Sequence, residues 1–273
     1  MPEWVGTFYK DKTRPADFLS QYASVFNAVE GNTTFYNTPS PETIRNWGDK
    51  TPKGFKFCFK FPRDITHMRM LHKTGEDAIR FVELFEPIRD KLGPFMIQLP
   101  PDFNAQFLTR LESLLSDLPK IFSYSVEVRH KDFFDHGNHE RSLNTLLKSY
   151  GADRVIFDTR KLHSSNSKDE TIVAAQKKKP KVPIRFENLG SRPVIRYVGT
   201  NDKLNNEAYL REWAIIVAEW IHEGIHPYMF IHSPDRVSQP TLCNYFHELL
   251  SELIQVPPLP EWPVNREAQL GLF

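Results

Sequence analysis

Phe55-Lys56-Phe57-Cys58-Phe59-Lys60-Phe61 (residues 55–61) is the stretch from which the fold is read. Successive side chains of a strand point to opposite faces. Four phenylalanines therefore share one face, while Lys56, Cys58 and Lys60 share the other. An aromatic face of that kind must be covered, and in a parallel α/β sheet helices cover it. The lysine-bearing face then looks inward, with Lys60 near the C-terminal end of its strand.

Outward from this stretch, short apolar runs alternate with helical spacing. Runs at 4–7, 28–32, 55–60, 95–99, 124–129, 155–158, 194–198 and 228–232 read as eight strands. Apolar residues recur at helical spacing between most of them, as in Phe81, Leu84, Phe85 and Ile88, or Tyr209, Trp213, Ile216, Val217 and Trp220. A short helix is expected at 42–47 and a modest one at 170–178. This alternation predicts an α/β fold, a single (β/α)8 TIM-type barrel over residues 1–255, with a loop-rich excursion at 159–193 after the sixth strand. The length of 273 residues suits one such domain. Pro257, Pro258, Pro260 and Pro263 predict that residues 256–273 form an extended tail leaving the fold.

The net charge of +1, from 35 basic and 34 acidic residues, creates no global field toward nucleic acid or membranes. Any anionic partner must be met by local groups. Two cysteines, Cys58 and Cys243, exclude a disulfide framework and read as buried free thiols. The N-terminus lacks a signal-peptide pattern, and no apolar run approaches the roughly 20 residues needed to span a bilayer. A cytoplasmic location without membrane association is the expectation.

The same alternation sends polar groups inward on other strands. Gln98 lies between outward Ile97 and Leu99. Ser125, Glu127 and Arg129 face in, as do Glu30, Asn32 and Arg196. On 155–158, Val155 and Phe157 are expected outside and Asp158 inside. Glu30, Glu127 and Asp158 thus balance Lys60, Arg129 and Arg196 at the strand ends. Apolar residues close such a space at equal or lower free energy, so six ionisable groups point to a ligand site. The expected roles follow from chemistry. Lys60, Arg129 and Arg196 hold an anion. Glu127 or Asp158 acts as general base, and His67 or His130 as proton donor. Glu30, Asn32, Tyr36, Gln98 and His232 position the substrate.

That anion is a small molecule or a nucleic acid. A divalent metal on Glu127, Asp158 and a histidine is a narrower version that no ligand spacing supports, and no cofactor is expected. Sugar-type isomerisation or hydrolysis by paired carboxylates remains a separate reading, as does a non-catalytic adaptor. The run Lys177-Lys178-Lys179-Pro180-Lys181 reads as solvated surface, with phosphate contact as its alternative.

Several stretches carry a family resemblance. They are Trp4-Val5-Gly6-Thr7, Val29-Glu30-Gly31-Asn32-Thr33-Thr34-Phe35-Tyr36, Lys60-Phe61-Pro62 through Ile65-Thr66-His67, Gln98-Leu99-Pro100-Pro101-Asp102-Phe103 and Val126-Glu127-Val128-Arg129-His130. In these the chain resembles the YecE-like family, a domain of unknown function. The resemblance implies the barrel fold and no particular activity. The closing Gln269-Leu270-Gly271-Leu272-Phe273 resembles the short peptide with which bacterial repair and replication proteins dock on the DNA sliding clamp. Leu272 and Phe273 would fill an apolar groove, while Gln269 bonds at its rim and Leu270 lies between them.

Overall fold

The computed structural model describes residues 1–266. Among these, eight short strands run β1 (Ala28–Gly31), β2 (Lys56–Phe59), β3 (Phe95–Gln98), β4 (Tyr124–Glu127), β5 (Asp153–Arg154), β6 (Ile156–Asp158), β7 (Val194–Val198) and β8 (Tyr228–His232). The helices before, between and after them are α1 (Phe18–Ala23), α2 (Pro41–Asp49), α3 (Gly75–Glu83), α4 (Leu108–Asp117), α5 (Asn138–Ser149), α6 (Arg160–Ser164), α7 (Glu170–Lys178), α8 (Lys203–His222) and α9 (Gln239–Ser251).

The expected closed ring of eight strands is not formed. The strands make three parallel sheets, β1-β2, β3-β4-β5 and β6-β7-β8. Two single bridges, Phe57 with Leu92 and Lys60 with Met96, link the first sheet to the second. The second and third are joined by the chain itself, which breaks pairing at Val155 between β5 and β6. Among the described residues no ladder connects β8 to β1. The physical reason lies at 4–7, which was expected to supply a strand. Pro2 starts a 3-10 turn there, and Gly6 sits at φ +81°, outside strand geometry. The Trp4 carbonyl accepts from the amides of Thr7, Phe8 and Tyr9, which closes the segment as a turn. The Trp4 indole instead donates to the Arg236 carbonyl at 2.8 Å, tying this end to the loop after β8.

Phe55, Phe57, Phe59 and Phe61 do face the helices and are buried. Phe57 and Phe59 stack with ring centroids 5.3 Å apart, and Trp47 of α2 stacks on Phe59 at 5.5 Å. Each such pair adds roughly 0.5–1.5 kcal/mol beyond its area burial. The opposite strand faces meet in a layered interior. Ala28, Cys58, Met96, Val155, Val194 and Phe230 form an apolar layer. Two residues further along, the same faces carry Glu30, Lys60, Gln98, Arg196 and His232, joined by Glu127 two residues after Ser125. Strand periodicity therefore stacks a polar layer on an apolar one, at the C-terminal ends of the strands.

The proline-rich segment stays on the fold through Arg266, where the sequence predicts departure. Trp262 meets Phe8 edge-on at 5.4 Å, and the Val264 amide donates to the Phe8 carbonyl at 3.1 Å. Arg266 donates to the Ser24 hydroxyl at 2.9 Å. Gln269, Leu270, Leu272 and Phe273 lie outside the described residues. No described helix is long and apolar enough to cross a membrane.

Candidate functional site

Glu30 is the hub of the polar layer. Arg196 grips it bidentately, Nε to Oε2 at 2.8 Å and Nη2 to Oε1 at 2.9 Å. Lys60 Nζ lies 3.0 Å from Oε1, and His232 Nε2 lies 3.2 Å from Oε2. The third Arg196 donor, Nη1, reaches Glu127 Oε2 at 2.6 Å. Glu127 Oε1 accepts from Arg129 Nε at 2.8 Å, and Arg129 Nη2 lies 2.7 Å from the same oxygen. The Phe157 ring lies beneath both guanidinium groups, 5.2 Å from Arg196 and 5.9 Å from Arg129. Five charged side chains from β1, β4, β7 and the ends of β2 and β4 thus form one continuous network.

Local sequence holds each member in place. Gly31 follows Glu30 because a Cβ there would fall 2.3 Å from the Phe59 ring of the paired strand. Thr34 fastens the loop after β1 to the end of β2, donating to the carbonyls of Gly31 at 3.0 Å and Lys60 at 2.7 Å.

The electrostatics follow from this packing. Burial pushes the Glu30 carboxyl up, but Arg196, Lys60 and His232 outweigh it and hold the group well below the usual carboxylate range. Burial likewise opposes ionisation of Glu127, yet Arg196, Arg129 and Lys60 bring it down to about 2. Both carboxylates are therefore ionised at neutral pH. Burial lowers the Lys60 ammonium, with Glu30 opposing. Burial, with Arg129 and Arg63 adding to it, lowers His67 to about 4. Its Nδ1 lies 2.9 Å from the Thr66 hydroxyl, which also lies 3.2 Å from the Pro62 carbonyl. With Thr66 donating to that carbonyl, its oxygen accepts from His67 Nδ1–H, and Nε2 is then the ring's acceptor.

The sequence pattern of the family described as "Protein of unknown function DUF72" matches residues 1–266. The chain belongs to the DUF72 family. It is 38% identical over 247 residues to the UPF0759 protein YecE of Escherichia coli K12, covering 89% of this chain and 90% of that one. The same identity and coverage hold for the YecE of Escherichia coli O157:H7. Among solved structures, the DUF72 family protein of Thermotoga maritima MSB8 superposes with a TM-score of 0.69 at 22% identity, covering 92% of this chain and 95% of that one. The Enterococcus faecalis V583 DUF72 protein gives 0.65 at 18%, covering 88% and 95%. The family resemblance read from the sequence is thereby borne out.

In this DUF72 chain, Glu30, Lys60, Glu127, Arg129, Arg196 and His232 converge in one network, and Gln98 is buried on the same inward layer. Asp158 does not join them. It points out of the interior, where Trp213 Nε1 donates to it at 2.8 Å and Arg160 Nε at 3.0 Å. Val155 and Phe157 take the inward positions instead. Val155-Ile156-Phe157 is apolar throughout, so its alternation gives no direction, and the expected orientation of this strand is reversed. His130 caps the 3-10 turn Lys131–Phe134, its Nδ1 accepting from the Asp132 amide at 3.3 Å. Asn32 precedes the turn Thr33–Phe35 without a side-chain cap bond and is exposed, and Tyr36 is 73% exposed. Tyr36 and His67 both abut Phe35, with ring centroids at 5.1 Å and 5.0 Å, so these three rings line the rim beside the network. Among the described residues, no three His, Cys, Asp or Glu side chains group as a metal site. An open groove of about 700 Å3 lies to the side, walled in part by Ile65, Arg69 and Asp77. Its Arg69 is already paired with Asp64 and Asp77.

The sequence pattern assigns Lys179 to solvated surface with the rest of its basic run. It is instead half-buried, within electrostatic reach of Arg196, Glu30, Lys60 and Glu127. The run of four lysines hid it. The signal that could have found it is the following Pro180, which breaks the helix and turns Lys179 away from the exposed face shared by Lys177 and Lys178.

Proposed function

We propose that this chain binds a small anionic ligand of the phosphate- or carboxylate-bearing class, at the C-terminal ends of its strands. The observation that carries this reading is an excess of cations in the polar layer. Lys60, Arg129 and Arg196 face two ionised carboxylates, Glu30 and Glu127. Arg129 stands at the open end of the network, with its side chain 18% exposed. Glu127 occupies its Nε and Nη2, and among the described residues its Nη1 has no partner. A guanidinium fixed on one edge and free on the other is pre-organised to take an oxyanion. The carboxylates hold the cations rigid, which lowers the entropy cost of binding.

Acid–base chemistry on such a ligand falls to His67. Glu127 has both oxygens in ion pairs and is a poor base at neutral pH. Asp158 faces α8, and His130 is used in capping. His67 is neutral and offers Nε2 as an acceptor, so it suits proton abstraction rather than the donor role expected from sequence.

The test is calorimetric titration with inorganic phosphate and sulfate at fixed ionic strength, on the full chain and on Arg129→Gln. Binding that weakens at least tenfold in the variant supports the reading. No binding to the unaltered chain at millimolar anion defeats it. A steep salt dependence with single-stranded DNA, at a slope of several charges, would move the reading to nucleic acid.

A second reading concerns Gln269–Phe273 and rests on its resemblance to the clamp-docking peptide. Arg266 is pinned to Ser24 and to the Glu261 carbonyl, and the peptide begins three residues later. Deleting 269–273 should abolish binding to a bacterial sliding clamp. No binding by the intact chain at micromolar concentration would end this reading.

A further inference from the structure

The excursion between β6 and β7 is held across the strand ends by specific contacts. Gln176 of α7 donates to the carbonyls of Leu162 and Ser165, both at 2.8 Å, which fastens α7 to α6. The helix ends as the Lys179 amide donates to the Ala175 carbonyl at 2.8 Å, and Lys179 itself is extended at φ −87° and ψ 133°. The buried Thr159 hydroxyl, just after β6, then donates to the Pro180 carbonyl at 3.1 Å. Val182 packs against the apolar cluster that Phe157, Leu162, Ile172 and Val198 form. Phe157 is the same ring that lies beneath Arg129 and Arg196. Residues 179–182 therefore form a strap sealed onto the floor of the anion site.

We infer that Lys179 is a ligand-binding residue of this site, its ammonium adding to Arg196 and Arg129 in holding the anion. The inference rests on the anion reading above and adds the group that sets ligand charge and pH response. Among the described residues Lys179 pairs with no carboxylate, although the four side chains nearest in effect include Glu30 and Glu127, which already serve Arg196, Arg129 and Lys60. With Lys179 the site holds four cations against two carboxylates, because His67 and His232 are both pushed toward the neutral form. Two uncompensated charges match a dianion. A strap that brings a half-buried ammonium within electrostatic reach of Arg196 and Lys60 gains when an anion joins them.

The pH response follows from the groups that face Lys179. Burial weakens its hold on the proton most, Arg196 and Lys60 add to this, and Glu30 and Glu127 oppose it, so the ammonium titrates near pH 8. His232 also feels Lys179 and is itself lowered by burial. A bound anion stabilises the charged form, and by linkage it must raise the pH at which Lys179 titrates.

Sulfate is the suitable probe, because its charge is constant from pH 6 to 10. Titration of the full chain should show affinity falling roughly tenfold between about pH 7 and pH 9.5. Lys179→Arg should bind at pH 7 without that fall. Lys179→Met should bind roughly tenfold more weakly and with a flat profile. A second readout is acetylation of Lys179 followed by mass spectrometry, which sulfate should slow. Unchanged affinity and pH profile in Lys179→Met overturns the inference and leaves the Arg129 site standing. Failure of the unaltered chain to bind sulfate at any pH removes both.

Discussion

Replacing Glu127 by Gln keeps the shape of the side chain and removes its charge. Two arginines then lose a carboxylate partner inside the polar layer, Arg196 at 2.6 Å and Arg129 at 2.8 Å. The magnitude can be worked from the titration of this group. At about 1.4 kcal/mol per pH unit, holding the carboxyl at about 2 instead of the usual 4.5 contributes on the order of 3 kcal/mol at neutral pH. The direction is fixed by linkage. A lowered carboxyl stabilises the fold above its unfolded value, and that contribution is lost as pH falls toward the folded value. The difference between the two proteins should therefore be full at pH 7, shrink below about 4.5 and vanish near 2. For 273 residues at roughly 2 cal/mol/K each, about 3 kcal/mol lowers the melting temperature by about 5 °C. Urea unfolding at pH 7, 5 and 3 reads the effect directly. A difference below about 1 kcal/mol at pH 7, the value of an exposed pair, would refute the reasoning. So would a difference that stays constant down to pH 3.

Other perturbations separate the site from its supports. Asp158→Asn should destabilise by about 3 kcal/mol through Arg160 and Trp213 while leaving sulfate affinity unchanged, as isothermal titration of the variant would show. Lys179→Met should stabilise the fold at pH 7, because its folded titration near 8 lies below the usual lysine value of 10.5; the gain should fade as pH rises from 8 to 10.5, which thermal melts across that range would read. Trp262→Ala should cost about 2 kcal/mol by opening the contact with Phe8, measured by urea unfolding at pH 7.

The strand pattern was legible where apolar and polar residues alternate. Phe55 to Phe61 gives direction because each phenylalanine is separated by a polar or small residue, and the inward turn of Lys60 follows. Glu127 and Arg196 are placed by the same rule. Asp158 was not legible, because three consecutive apolar residues precede it and both faces of β6 are buried, one by Phe157 over the site and one by Trp213 outside. Closure of the sheets was misread at 4–7 because Trp4-Val5 has strand composition, while Pro2 and Gly6 dictate a turn. Lys179 escaped notice for a different reason. Its direction is set by hydrogen bonds from Gln176 and Thr159, which are far apart in sequence, and the only local sign is the following Pro180. The hold of Trp262 on Phe8 is likewise a long-range contact that a proline count cannot predict.

Soaking crystals with a heavy tetrahedral oxyanion such as tungstate tests the central claim most directly, since its anomalous signal marks position without interpretation of weak density. The account predicts a peak at the C-terminal ends of the strands, within hydrogen-bonding reach of Arg129 Nη1 and the Lys179 ammonium. Strong peaks confined to other surfaces, with that position empty at saturating tungstate, would contradict it.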